Sequence, residues 1–147
     1  PFTSAAYEGW DPRAGTADAM KKTPPPMDQA LAALISDLDE RGLLDSTLIL
    51  VTSEFGRTPK INASAGRDHF ARVYSTMVAG GGITRGQIYG SSDATSSEPE
   101  ENPVTIENLL ATVYHQIGIN ADKELMAPGA RPIEIIDGGQ VVKGILA

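Results

Sequence analysis

Apolar residues recur at helical spacing in two parts of the chain. In the stretch 27–38 they repeat every three or four positions, with acidic residues between them, which predicts an amphipathic helix. Gly42 follows where a left-handed C-cap would end that helix. Thr105 is typical of an N-cap before a second apolar stripe at 106–117, and Gly118 would end it. The pattern therefore predicts two helices about 65 residues apart.

Short apolar runs predict the strands. The run 47–52 is almost continuously apolar and β-branched, which is typical of a strand covered on both faces in a parallel sheet. A second strand is predicted at 73–79, with the glycines 80–82 as a tight exit. Two shorter strands, 133–136 and 140–145, would flank an Asp-Gly-Gly turn. The predicted fold class is α/β, with a mostly parallel sheet covered by helices.

Two helices with three or four strands are too few to cover both faces of a parallel sheet. We therefore expect residues 1–147 to form a single segment, the C-terminal part of a larger domain. The stretch 91–102 (SSDATSSEPEEN) is acidic, serine-rich and without periodicity, which predicts an acidic surface loop.

Composition excludes several classes of protein. The chain has no cysteine, so disulfide scaffolds and thiol nucleophiles are excluded. No apolar run approaches the roughly 20 residues that span a bilayer, so no membrane-spanning segment is expected. Twelve Lys and Arg stand against nineteen Asp and Glu, for a formal charge of −7, which argues against a nucleic-acid partner. A bound cation, or a small anion held through a cation, remains compatible with this charge.

The best candidates for chemistry lie in and near the loop after the first strand. Glu54 follows that strand directly, His69 lies later in the same loop, and Asp11 lies upstream beside Trp10. Carboxylate and imidazole ligands suit a divalent metal such as Zn²⁺, Mn²⁺, Mg²⁺ or Ca²⁺. If Glu54 and His69 share a metal, their side chains approach to about 3–4 Å. Each residue also has a purely structural interpretation: Glu54 as a turn cap or a partner of Arg57, His69 as a hydrogen-bonded loop residue, and Asp11 as part of a turn.

Two arginines of this loop, Arg57 and Arg67, are candidates for holding an anionic group. Arginines in loops also commonly bind backbone carbonyls or acids, and the sequence leaves both interpretations open. The second histidine, His115, lies about 180° from Ile106 around the second helix and is predicted to face solvent.

The order of these motifs resembles a known family. E-F-G-R-T-P at 54–59, G-R-D-H at 66–69, and flanking stretches such as VAGGGITRGQIYGSSDA and PVTIENLLATVYHQIGI are similar to the bacterial domain-of-unknown-function 1501 family. The likeness covers nearly the whole chain. The family is often labelled sulfatase-like and is similar to the alkaline phosphatase superfamily, so the resemblance implies the C-terminal part of an alkaline-phosphatase-like sandwich.

The resemblance also implies roles for particular residues. Glu54 matches the acidic ligand after the sheet strand, His69 the later histidine, and Asp11 the acid of the family's W-D-T-H motif. In this chain Arg13 replaces the histidine of that motif, and Phe55 lies where phosphatases and sulfatases place a histidine. The nucleophile and the first metal-binding acid would lie upstream of this chain.

Two functions follow from the resemblance. The first is a metal-dependent hydrolase of phosphate or sulfate esters, with a small anionic ester as substrate and with the upstream segment of the same protein completing the site. The second is a catalytically degenerate member that serves as an extracytoplasmic binding or structural component. The resemblance also implies an exported or periplasmic location. The sequence leaves the substrate and the oligomeric state open.

Overall fold

A computed structural model describes residues 10–147. Its helices are α1 (Thr16–Lys22), α2 (Pro24–Glu40) and α3 (Ile106–Gln116), with single 3₁₀ turns at Leu44–Ser46 and Lys143–Ile145. Its strands are β1 (Ile49–Val51), β2 (Gly56–Arg57), β3 (His69–Phe70), β4 (Met77–Ala79), β5 (Ser91–Ser92), β6 (Pro99–Glu101), β7 (Glu124–Ala127) and β8 (Arg131–Glu134). None of the helices in this part of the chain has the length and hydrophobicity needed to cross a membrane.

The two predicted helices are confirmed. α2 begins at a run of prolines, which are tolerated in a first turn, and ends before Gly42, whose φ is 68°. The hydroxyl of Thr105 accepts the N–H of Asn108 at 3.2 Å and so caps α3, while Gly118 follows that helix with a φ of 78°. His115 is exposed on α3, as predicted.

The predicted parallel sheet, and with it the alkaline-phosphatase-like sandwich, is wrong. The strands form four separate antiparallel pairs, β1–β4, β2–β3, β5–β6 and β7–β8, and residues 10–147 contain no extended parallel sheet. Parallel neighbours need a long crossover, usually a helix. Between β1 and β4 the chain instead forms a loop that contains the β2–β3 pair, and it returns in the opposite direction. The result is a small mixed α/β structure.

The C-terminal strands also differ from the prediction. β8 overlaps the predicted strand 133–136, but it pairs with β7 rather than with 140–145. The stretch 140–145 forms no strand and ends in a 3₁₀ turn. In the acidic stretch 91–102, β5 and β6 pair around a turn.

The small core of the described residues lies between α3 and the C-terminal stretch. Its buried apolar side chains are Leu44, Leu109, Ala111, Ile136 and Val142. The buried hydroxyl of Thr112 donates to the carbonyl of Asn108 at 2.7 Å and accepts the N–H of Val142 at 2.9 Å. These contacts attach the C-terminal stretch to α3, whereas the motif loop lies elsewhere, between β1 and β4.

Candidate functional site

The two sequence motifs lie side by side because β2 pairs with β3. Gly56 is opposite Phe70, and Arg57 is opposite His69. Directly opposite residues of an antiparallel pair project their side chains to the same face. The pairing therefore places the guanidinium of Arg57 and the imidazole of His69 next to each other.

Asp11 joins these two side chains. Its Oδ1 lies 2.7 Å from Arg57 Nη1 and 2.9 Å from His69 Nε2, and its Oδ2 accepts a bond from Arg13 Nε at 2.9 Å. Arg13 Nη2 lies 3.4 Å from His69 Nε2. We call Asp11, Arg13, Arg57 and His69 the Asp11 cluster. Hydrogen bonds from His69 and Arg57 hold the pKa of the Asp11 carboxyl well below its usual range, so it is ionised at neutral pH.

Glycines in both motifs allow the backbone to approach closely. A Cβ atom on Gly66 would lie 1.9 Å from the carbonyl oxygen of Arg13, and one on Gly56 would lie 2.1 Å from the carbonyl oxygen of Val73. Real Cβ atoms do not come so near to backbone atoms. Gly66 thus lets the segment that carries Asp11 pack directly on the motif loop.

Asn62 connects the same two segments, and sequence reasoning missed it. Its Nδ2 donates to the carbonyl of Arg13 at 3.1 Å and to Asp68 Oδ1 at 3.0 Å. Its Oδ1 accepts the N–H of Ser64 at 3.0 Å and that of Gly66 at 2.9 Å. An asparagine before a run of small residues is typical of a turn in which the side chain binds the backbone, which is the signal that could have identified it.

Phe55 supports the imidazole of His69. The two rings stack with centroids 4.0 Å apart and planes inclined by 27°, and the Arg57 guanidinium lies 5.7 Å from the centre of the Phe55 ring. The side chain of His69 is 38% exposed. Its Nδ1 makes no hydrogen bond within the described part of the chain. One ring nitrogen is thus held by Asp11, and the other has no partner among residues 10–147.

The remaining candidates lie around this cluster. Glu54 is exposed and makes no hydrogen bond or ion pair with residues 10–147, so the alternative pairing with Arg57 does not form. Arg67 Nη1 donates to the carbonyls of Thr58 and Pro59, both at 2.7 Å. This is the backbone role that loop arginines commonly have.

A divalent metal fits these residues in part. Over residues 10–147, no three His, Asp or Glu side chains are grouped so that they could hold a metal ion, and both oxygens of Asp11 are engaged by guanidinium groups. His69, however, has the arrangement typical of a metal-binding histidine, with a carboxylate on one ring nitrogen and the other nitrogen open. The three-ligand site of Asp11, Glu54 and His69 stays a prediction.

Two open cavities border the Asp11 cluster. Asp11 and Arg13 line one of about 480 Å³, next to α1. The other, of about 590 Å³, we call the Arg57 groove; it is lined by Ser53, Phe55, Gly56, Arg57, Pro59, Arg67, Val73, Tyr74, Ser75, Ser92 and Ser96. Both arginines proposed from the sequence to hold an anion therefore line this groove.

Comparison with known proteins gives one result. Searches of the curated proteins and of the solved structures return no match. A family model described as "Protein of unknown function (DUF1501)" matches residues 1–146. The match concerns this family alone, and the kinship with sulfatases and alkaline phosphatases stays a prediction. With almost every residue matched, the chain belongs to the DUF1501 family, as the motifs at 54–59 and 66–69 predicted.

Proposed function

We propose that this chain supplies metal-binding and anion-binding residues to a hydrolase of phosphate or sulfate esters. The observation that carries the proposal is the 2.9 Å contact between Asp11 and His69, which engages Nε2, while Nδ1 has no partner among residues 10–147. A carboxylate in this position fixes the tautomer and the orientation of an imidazole, and it makes the opposite nitrogen a better base and a better ligand.

His69 is the centre of the proposed chemistry. When Nε2–H donates a hydrogen bond to Asp11, the ring carries its lone pair on Nδ1, where it is available to a divalent cation or to a proton. Glu54 has no competing partner among the described residues and is the second proposed ligand. A divalent cation bound here would polarise the ester and lower the pKa of a bound water.

Three arginines favour a negatively charged substrate. Arg13 and Arg57 bind the carboxylate of Asp11, and Arg67 lines the neighbouring groove together with Arg57, so guanidinium groups concentrate here although the whole chain carries a charge of −7. The side chain of Arg13 is 63% exposed and keeps N–H donors that have no partner among the described residues. Fixed guanidinium donors stabilise the negative charge that develops on a phosphoryl or sulfuryl group.

The chain's two histidines provide a matched test of this proposal. The full-length protein is purified, its metal content is measured by elemental analysis, and hydrolysis of aryl phosphate and aryl sulfate is assayed. We expect His69→Ala to lose both metal and turnover, because it removes the open Nδ1. His115→Ala, on the exposed face of α3, should keep both. Equal metal content and equal turnover in the two variants would contradict the proposal.

Arg13 favours a second candidate function, a binding component without catalysis. Its guanidinium binds Asp11 Oδ2 and lies 3.4 Å from His69 Nε2, where the family motif has a histidine. A guanidinium can neutralise Asp11 as a cation would. On this reading the wild-type protein binds phosphate or sulfate without metal or turnover, and Arg13→His gains metal. Stoichiometric metal in the wild-type protein would instead support the hydrolase.

A further inference from the structure

Three hydroxyl groups on the wall of the Arg57 groove have no hydrogen-bond partner among the described residues. Tyr74, Ser75 and Ser96 all line the groove, and none of their hydroxyls makes a hydrogen bond within residues 10–147. A hydroxyl both donates and accepts, so it pairs best with ligand groups that do the same. The wall therefore offers both donors and acceptors to a ligand that carries alcohol groups.

The two arginines lie along the same groove with their guanidinium planes fixed. Arg67 is anchored through Nη1 by two backbone carbonyls, which leaves its Nη2 and Nε donors without a partner among the described residues. Arg57 is anchored by Asp11 and by the carbonyl of Trp10. Since the anchors limit side-chain motion, little conformational entropy is lost when an anion binds.

The turn between β5 and β6 presents Ser96 to the groove in a restricted conformation. The carbonyl of Asp93 accepts the N–H of Ser96 at 3.0 Å, and the Asp93 side chain accepts the N–H of Ser97 at 2.7 Å and the hydroxyl of Thr95 at 2.9 Å. Ser96 has a φ of 55°, which is costly for a residue with a side chain. Residues held in this region often belong to binding sites.

Tyr74 is positioned by the motif loop itself. A Cβ on Gly56 would lie 3.1 Å from the Cβ of Tyr74, so the tyrosine backbone packs against the glycine next to Arg57. Tyr74 and the anchored Arg57 both line the groove. Hydroxyl and cationic groups thus share one cavity of about 590 Å³, within the usual range for small-molecule sites.

We infer that the Arg57 groove holds the alcohol portion of the ester and selects a polyhydroxylated one, such as the ring of a sugar phosphate or sugar sulfate. The inference rests on the proposed function and names its substrate class. In this arrangement Arg57 and Arg67 bind the anionic group, and Tyr74, Ser75 and Ser96 bind ring hydroxyls. The β5–β6 turn is then a specificity element.

The test measures binding rather than turnover. A hexose 6-phosphate, phenyl phosphate and inorganic phosphate are titrated calorimetrically into the wild-type protein. A second series uses the corresponding hexose sulfate, phenyl sulfate and inorganic sulfate. Tyr74→Phe combined with Ser96→Ala removes two hydroxyls without changing charge. We expect the affinity for the hexose ester to fall about tenfold or more, since each lost bond contributes about 1 kcal/mol, with phenyl phosphate unchanged.

Tyr114→Phe is the matched control, because Tyr114 lies on α3 and does not line the groove. Its affinities should equal those of the wild-type protein. Equal losses for the hexose and phenyl esters, no loss for either, or binding of inorganic phosphate alone would overturn the inference. Absence of turnover with a hexose-specific loss of binding would contradict the hydrolase and leave the inference standing. Turnover without that selective loss would do the reverse.

Discussion

Glycine occurs in both motifs of the loop because Gly66 and Gly56 each lie against another backbone segment. Neither has a positive φ, so their value lies in the absence of a side chain rather than in backbone freedom. Each allows another backbone segment to come nearer than a Cβ atom permits. At Gly66 that segment is the one that carries Asp11 and Arg13, so a glycine that is not itself a member of the Asp11 cluster helps to position it.

Gly66→Ala should therefore disturb the cluster as well as the stability. The added Cβ would lie 1.9 Å from the Arg13 carbonyl and 2.5 Å from the nitrogen of Ala14, so the backbone must move. We expect a loss of about 1–3 kcal/mol in the free energy of unfolding, measured in urea, with a changed NMR shift of the His69 ring.

Gly118→Ala is the control for that substitution. It places a side chain at a φ of 78° but in open space at the end of α3, so it costs about 1–2 kcal/mol without touching the cluster. The His69 signal should not move in this variant. An unchanged His69 signal in Gly66→Ala would contradict the proposed role of the close contact.

The lowered pKa of Asp11 predicts how the stability of the protein depends on pH. Hydrogen bonds from His69, and then from Arg57, lower its pKa in the folded state. A carboxyl with a lowered folded pKa stabilises the protein above its unfolded pKa, about 3.9, and loses that contribution as the pH falls toward the folded value. The wild-type protein should therefore exceed Asp11→Asn in stability most at pH 7, and the difference should shrink below about pH 4.

Urea unfolding at pH 7 and pH 3 checks this expectation. Asp93 and Glu107 also have lowered pKa values, the first because it accepts the N–H of Ser97 and the second because of its own backbone N–H near the start of α3. Asp93 and Glu107 are present both in the wild-type protein and in Asp11→Asn, so their contributions to the pH dependence cancel when the two stabilities are subtracted. Asp28→Asn is the control and should differ little from wild type at either pH, because the exposed Asp28 side chain on α2 makes no hydrogen bond within residues 10–147. A difference for Asp11→Asn that grows in acid would contradict the assignment.

At the level of elements, α3 depends on its N-cap. Thr105 accepts the N–H of Asn108, and α3 contributes Leu109 and Ala111 to the core. Thr105→Ala leaves that N–H unpaired and should lower the free energy of unfolding by about 1 kcal/mol. Thr84→Ala, at an exposed threonine whose side chain makes no hydrogen bond with the described residues, should change it by less than about 0.5 kcal/mol. Equal losses in the two variants would argue against capping.

The helices could be predicted from the sequence because their signals are local. The apolar spacing, Thr105, Gly42 and Gly118 all act within a few residues of the elements they delimit. The strands could not be predicted equally well, since the described ones are only two to four residues long, and the partner of β1 lies beyond the whole motif loop. A continuous apolar run such as 47–52 indicates burial on both faces, but it does not specify whether the partner is parallel.

The candidate site, like the fold, could be predicted from the sequence only in part. Residue type and position identified Asp11, His69 and Arg57, which the structure brings together across separations of 46 to 58 residues. Glu54 makes no hydrogen bond or ion pair with them in the described part of the chain, and its role as a ligand stays a prediction. Asn62 and the contact at Gly66 escaped prediction because both depend on how the motif loop folds back on the segment 11–14. That approach is a tertiary contact, and no periodic pattern in the sequence indicates it.

The molecule as a whole leaves much apolar surface accessible. α2 has no buried residue, and in the β7–β8 hairpin Leu125, Met126 and Ile133 are exposed. The accessible surface is 10,498 Å², whereas a compact protein of 15.5 kDa exposes about 7,200 Å². Folding therefore removes less surface from water than the chain length would allow.

The reduced burial predicts a shallow response to denaturant. An unfolded chain of this mass exposes about 22,500 Å², so unfolding here uncovers about a fifth less surface than in a compact protein of equal mass. Because the urea m-value is proportional to the surface exposed on unfolding, we expect an m-value lower by about the same fraction. Circular dichroism during a urea titration measures it.

Thr105→Ala should shift the midpoint at constant m, since it changes the stability and not the surface exposed on unfolding. An m-value equal to that of compact proteins of this length would mean that the apolar faces of α2 and of the β7–β8 hairpin are covered in solution, and sedimentation velocity would then reveal whether a second copy of the chain covers them.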